Sequence, residues 1–355
     1  MKSKTQFATC LLLFLLLSCK KDSVTPPLSG VFVGGYELKS SSGAGGFGVS
    51  SYNNAKYWSN SKEVSSSESS TALGSAAQSV FVYGSDIYTA GNEQTSSLSS
   101  NAKYWQNGVE VSLTTGTHTS TAQAIYVDAT GVYVAGTEND GLYGAPVAKY
   151  WKNGTATSMT DGTLSSSAES IFVSGNDVYV SGNIETINDY IIAAYWKNGG
   201  LVNLGVDGTN SDAKSIFIAG AEVHAAGIEL TADLMSSIAT YWKDGVKTSL
   251  TSGATVAGAT SVFVSGSEVY VAGYETNAAG NRVAKYWKNG VEVVLSDGTH
   301  TAMANSIFVS GSDVYVAGRE INSAYIGVAK YWKNGTSISL TDGTLDAAGN
   351  SIFVK

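Results

Sequence analysis

The chain has 355 residues, of which 43% are hydrophobic and 14% charged, with a formal net charge of −8 and two cysteines. Two cysteines are too few for a disulfide-stapled scaffold. An acidic chain whose arginines are only Arg282 and Arg319 is also a poor partner for nucleic acid, which is held through phosphate charge.

Residues 1–18 read as an export signal. Lys2 and Lys4 precede an uncharged apolar run from Phe7 to Leu17, well short of the roughly 20 residues a helix needs to span a bilayer. Leu16-Leu17-Ser18-Cys19 resembles the lipobox of bacterial lipoproteins. The resemblance implies cleavage before Cys19 and acylation, of the palmitate kind, at that residue, whose thiolate suits the role of nucleophile. Residues 19–30 are then a lipidated Cys and a tether stiffened by Pro26 and Pro27. Lys20-Lys21-Asp22 behind the Cys is similar to lipoproteins of the Bacteroidota type, which implies a lipid-anchored place at the outer membrane and export to the cell surface. Cys10 leaves with the signal, and loss of Lys2 and Lys4 leaves 19 basic against 29 acidic residues.

From residue 31 the chain repeats. Trp58, Trp105, Trp151, Trp196, Trp242, Trp287 and Trp332 share one local phrase at spacings of 47, 46, 45, 46, 45 and 45, a period in the range of propeller blades. One unit reads Ser261-Val-Phe-Val264, a Ser-Gly turn, Val269-Tyr-Val-Ala-Gly-Tyr-Glu275, a variable loop, Val283-Ala-Lys-Tyr-Trp287, Lys-Asn-Gly290 and Val291-Glu-Val-Val-Leu295. This predicts strands A to D, with A–B and C–D links too short for anything but antiparallel neighbours. Strands A and B are apolar at nearly every position, so both faces are expected to be covered. In strand C, Ala284 and Tyr286 share one face and Lys285 and Trp287 the other. Each indole is expected to fill the space between adjacent blades.

The pattern opens at Val31-Phe-Val-Gly-Gly-Tyr-Glu37, which matches strand B, and finishes at Ser351-Ile-Phe-Val354, which matches strand A. Together they supply one blade. The expected fold is all-β: residues 31–355 form a seven-bladed β-propeller, four antiparallel strands per blade, closed by the C-terminal strand joining the N-terminal three. A closed ring leaves no sheet edge to aggregate.

The Ala-x-x-Trp-x-x-Gly phrase, followed after a gap by a strand pair ending in Val-x-x-Gly, resembles the extracellular repeat family called HAF. The likeness covers nearly all of residues 31 to 355, with Ala-Lys-Tyr-Trp where that family has His-Ala-Phe. More distantly, Val-Tyr-Val-Ala-Gly is similar to the kelch strand, whose double Gly stands here at Gly34-Gly35. The resemblance implies a propeller outside the cytoplasm and no particular activity.

A Glu follows strand B in every blade: Glu37, Glu93, Glu138, Glu185, Glu229, Glu275 and Glu320, with Ile184 as an added residue in the fourth. The structural reading is a corner brace with Lys at the start of strand C as cross-strand partner; the functional one is a ring of carboxylates for cations or sugars. Ala194 and Thr240 replace the Lys in two blades, so backbone amides are expected to serve there. Asp161, Asp207, Asp297 and Asp342 each offer a turn a single carboxylate, too few for a calcium loop. His118, His224 and His300 converge on no evident metal site.

Length varies mainly in the B–C loops, which share a face with the D–A connections. These loops carry apolar residues in no common pattern, and Tyr52, Tyr143, Tyr190, Met235 and Tyr325 are the candidate binding face. Dissimilar loops on a rigid ring suit an asymmetric partner. The expected role is a monomeric, non-catalytic binding or scaffold lipoprotein that recognises a protein or polysaccharide, with no catalytic residue, metal or cofactor. One alternative is a multivalent lectin that uses a Tyr-Trp pair in each blade. The other is a glycan-cleaving enzyme, against which stands the lack of an evident acid/base pair or nucleophile.

Overall fold

The computed structural model describes residues 29–42, 49–65, 73–96, 99–139, 141 and 144–355. Among these the regular structure is strand alone, in seven four-stranded antiparallel sheets. Blade 1 is composite. Val31–Ser42, Val49–Ser59 and Lys62–Ser65 supply strands B, C and D, and Ala347–Val354 adds strand A. Blades 2 to 7 occupy residues 75–112, 120–158, 166–203, 211–249, 257–294 and 302–339. The expected closure is present: Val33 pairs with Ile352 and Val31 with Val354, and Gly30 and Lys355 exchange backbone hydrogen bonds of 2.8 and 3.0 Å.

The repeated phrases have separate physical jobs. In the C–D link, Asn107, Asn153, Asn198, Asp244, Asn289 and Asn334 adopt φ of 49–52° and the following Gly 80–83°, the type I′ hairpin that needs positive φ twice. The same side chain also ties down strand B; Asn289 Oδ1 accepts the Val269 N–H at 2.9 Å. All seven indoles are 0–1% exposed. Trp58, Trp151, Trp196, Trp242, Trp287 and Trp332 pack on the preceding blade, as Trp332 does on Ala272, Ala284 and Tyr286, each taking roughly 150–250 Å² of ring surface out of water.

Strand A is innermost, and consecutive A strands touch around the whole ring. Their free edges are stitched by serines. Ser79 Oγ accepts the Ile125 N–H at 3.2 Å, Ser215 Oγ accepts that of Val262 at 3.0 Å, and Ser351 Oγ accepts that of Val80 at 3.2 Å, joining the last strand to the first complete blade. One residue of each strand A adds a ring toward the centre. Phe81, Tyr126, Phe172, Phe217, Phe263, Phe308 and Phe353 form a closed circuit with centroids 4.7–5.2 Å apart and planes tilted by 47–53°. Each such contact contributes about 0.5–1.5 kcal/mol beyond simple burial.

Two expectations need correction. Strand A starts earlier than its apolar phrase, at Ala257 in blade 6 rather than at Ser261, and the added half carries a β-bulge that recurs in every blade. The bulge swings a strand A carbonyl against strand B, so that a Cβ on Gly91 would lie 1.9 Å from the Ala76 oxygen. That close approach explains the Gly in the strand B phrase. Blade 4 has no inserted residue. Ile184 occupies the Glu position, opposite Ser166 as Glu93 is opposite Ser75, and Glu185 falls one residue further on, opposite Ile191.

Candidate functional site

The recurring carboxylates brace corners. Glu37, Glu93 and Glu320 take the ammonium groups of Lys56, Lys103 and Lys330, and Glu138 and Glu275 take Lys149 and Lys285 at 2.7 and 2.9 Å. Burial alone would pull the Lys103 pKa down, but hydrogen bonds to Glu110 and Glu93, with their charges, outweigh it and hold the pKa above the ordinary lysine value. Where Thr240 replaces Lys, Lys247 of strand D binds Glu229 at 2.8 Å. Where Ala194 does, the Glu position is itself Ile184, and the displaced Glu185 accepts the Ser165 N–H at 3.0 Å. The expected switch to a backbone amide therefore holds for blade 4 and not for blade 5.

Asp161, Asp297 and Asp342 cap their own turns, each accepting the backbone N–H and the hydroxyl of the Thr two residues on at 2.6–3.0 Å. These bonds hold all three carboxyls below the usual range. Asp207 instead holds Thr186 and Asn188 of the neighbouring B–C turn, at 3.1 and 2.5 Å. Among the described residues no group of three His, Cys, Asp or Glu side chains could hold a metal ion. His224 is buried, with Nδ1 2.7 Å from the Tyr241 hydroxyl.

The B–C loops differ in side chain more than in backbone. In blades 4 to 7 they close by one pattern, in which Asp189, Leu234, Gly280 and Tyr325 each donate their N–H to Thr186, Thr231, Asn277 and Asn322 in turn. Seven wholly dissimilar loops are thus not what the fold presents. At their tips Ile187, Met235 and Tyr325 are 86%, 81% and 88% exposed. Tyr190 is half-buried against its own turn, its N–H 3.3 Å from Thr186 Oγ1. Tyr52, also half-buried, lines a cleft of about 310 Å³ with Leu73 and Asn92. Tyr143 and Cys19 lie outside the described residues.

The feature missed at the level of sequence is the mouth of the central channel on this same face. The bulge places one side chain per blade there: Gln78, Gln123, Glu169, Lys214, Thr260, Asn305 and Asn350 line a cavity of about 400 Å³, with Ile228, Tyr274 and Met303. The aromatic circuit lies further along the same strands, toward the A–B turns. Lys214 stands 2.5 Å from Asp212 and 3.7 Å from Glu169. Burial pushes the Glu169 carboxyl up, Lys214 opposes that shift and Asp212 adds to it. A groove of about 480 Å³ continues from Asp212, Lys214 and Ile228 to Asp189, Ile191 and Leu230. The signal in the sequence was a position of strand A that is polar in all seven repeats.

No protein-family model matches the chain, and no curated protein matches it in sequence. In structure it is similar to the β-propeller domain of the Trilobed protease from Pyrococcus furiosus, described as having an open velcro topology, with 12% identity and a TM-score of 0.54 over 90% of this chain and 97% of that one. It is also similar to the acylaminoacyl peptidase of Pyrococcus horikoshii, with 11% identity and a TM-score of 0.53 over 89% of this chain and 52% of that one. At such identities the likeness shows the fold alone. In fold the chain is a closed seven-bladed β-propeller.

Proposed function

We propose that the chain is a non-catalytic binding or scaffold module, carried at the bacterial outer membrane on a lipid at Cys19, that recognises a protein or polysaccharide through its B–C face. The observation that carries this reading is the backbone at the turn tips. Leu234 and Tyr325 sit at φ of 60 and 62°, where blade 6 has Gly280 at 84°. The left-handed region costs a residue with a Cβ roughly 1–2 kcal/mol, and such strain persists where the side chain is used. Both side chains point into solvent, 62% and 88% exposed, so packing does not account for them.

The other face is regular. Its turns repeat Ser, Asn and Gly in most blades, and Gly30 lies there beside Lys355, so the segment that follows Cys19 joins the ring on the face opposite the B–C loops. The carboxylates at the channel mouth, Glu169 and Asp212, both hold Lys214, which favours binding over acid/base work. The buried indoles offer no ring face to solvent, which removes the basis of a Tyr-Trp site in each blade.

Residues 29–355 contain every described strand and are the material for a ligand screen followed by titration. One site per chain supports the reading, several equivalent sites favour a lectin, and release of sugar from a polysaccharide replaces binding by catalysis. In the full chain, Cys19→Ser is expected to abolish acyl labelling and membrane association; retention of both contradicts the anchor.

A further inference from the structure

We propose that the channel mouth is a single carbohydrate site for the end of a neutral sugar chain, with Gln78, Gln123, Glu169 and Lys214 as its polar contacts. This deepens, and rests on, the reading of the B–C face as the binding face.

The seven bulge positions divide into two sets. Thr260, Asn305 and Asn350 carry short side chains that are committed to the ring: each donates to a carbonyl of the next strand A, at Ala304, Gly349 and Ala77, over 2.7–2.9 Å. Those bonds do for the bulges what the serines do for the strand edges. In blades 2 to 5 the same position holds long side chains instead, and among the described residues none of them makes that bond. Gln123 has no hydrogen-bond partner there at all, although it is half-buried and lines the cavity. Its carboxamide keeps contact with solvent and is free to exchange water for the hydroxyls of a ligand.

The arc suits hydroxyl groups, which both donate and accept. Two carboxamides offer donors and acceptors, Glu169 offers acceptors and Lys214 donors. Ile228, beside Asp212 in blade 5, and Tyr274 and Met303 add apolar surface for the C–H face of a sugar ring, with the Arg282 guanidinium 3.4 Å from Met303 Sδ. Glu169 and Asp212 face Lys214 and Arg282, whose guanidinium lies 4.5 Å from the Tyr274 ring centroid, so these four charges balance at the mouth, and Asp189 adds an acid in the adjoining groove. No excess of positive charge draws an anionic sugar there, and a neutral one suits the balance. The cavity is within the size of small-ligand sites, and the groove past Asp212 and Ile228 gives the rest of a chain a way out between blades 4 and 5.

The test is calorimetric titration of residues 29–355 with short neutral gluco-, galacto- and manno-oligosaccharides, and with oligogalacturonate as the anionic counterpart. The expected result is binding of a neutral series at one site per chain, weakened about tenfold or more by Gln123→Ala and by Glu169→Gln, with melting temperatures unchanged. Ser267→Ala, on the opposite face, should bind as the parent does. A preference for oligogalacturonate, or no binding of any neutral series, overturns the proposal. So does neutral-sugar binding that ignores both channel variants; if it is lost instead in Met235→Ser or Tyr325→Ser, the B–C face stands and the channel site alone falls. Binding only of a peptide or protein at the channel mouth also overturns the sugar class.

Discussion

Phe81 and Phe353 meet with ring centroids 4.7 Å apart and planes tilted by 51°, one in the first complete strand A and the other in the last. With the Ser351 hydroxyl on the Val80 N–H, that contact closes the ring. Deleting residues 351–355 removes Ile352, Phe353 and Val354, each worth roughly 1.5–3 kcal/mol of burial, against a domain stability of about 5–15 kcal/mol. The truncated protein is expected to unfold or aggregate, by circular dichroism and sedimentation, while residues 29–355 melt cooperatively. A melting temperature equal to that of the parent contradicts closure by this strand.

The Glu93–Lys103 pair can be exchanged for the solution blade 4 already uses. Both side chains are under a tenth exposed, so Lys103→Ala alone breaks a buried ion pair and should cost about 3–5 kcal/mol. Adding Glu93→Ile to that change reproduces Ile184 and Ala194, and most of the loss should return. Denaturant midpoints of the two variants measure it; a double variant no better than the single one contradicts the equivalence of the two corners.

His224 stands where other blades carry Tyr88, Tyr133, Tyr179, Tyr270 and Tyr315. Burial holds its pKa below the ordinary value, and the Lys243 charge helps; Glu222 and Asp244 pull the other way. The sign follows from the depressed value. The neutral ring's contribution is fully present above the unfolded-state value, about 6.5, and is lost as pH falls below it because the unfolded chain takes up the proton first. The melting temperature should therefore drop more between pH 7 and pH 5 (roughly one unit either side of an ordinary histidine) in the parent than in His224→Tyr. Parallel curves contradict a buried neutral ring.

Blade number, strand order and closure were legible because Trp58 to Trp332 mark every blade and because Val31 and Ser351 begin complementary parts of one. The bulged half of strand A was hidden for the opposite reason. Residues 78, 123, 169, 214, 260, 305 and 350 are of five kinds, and a bulge breaks the alternation by which a strand is recognised. Phe81 and its counterparts recur visibly, yet their circuit exists only once the ring is closed. In blade 4, Ile184 looked like an insertion before Glu185, since a sequence shows the acid but not the register. The common turn in blades 4 to 7 was masked by unlike residues at Asp189, Leu234, Gly280 and Tyr325.

The claim that this propeller recognises its partner through one asymmetric face is tested most directly by amide hydrogen exchange of residues 29–355 with and without a saturating ligand from the screen. Protection should gather at turns 186–190, 231–236 and 322–326 and at the bulges around Gln123, Glu169 and Lys214, and leave the A–B turns at Gly175, Gly266 and Gly311 unchanged. Protection at those A–B turns, or equal protection in all seven blades, would contradict it.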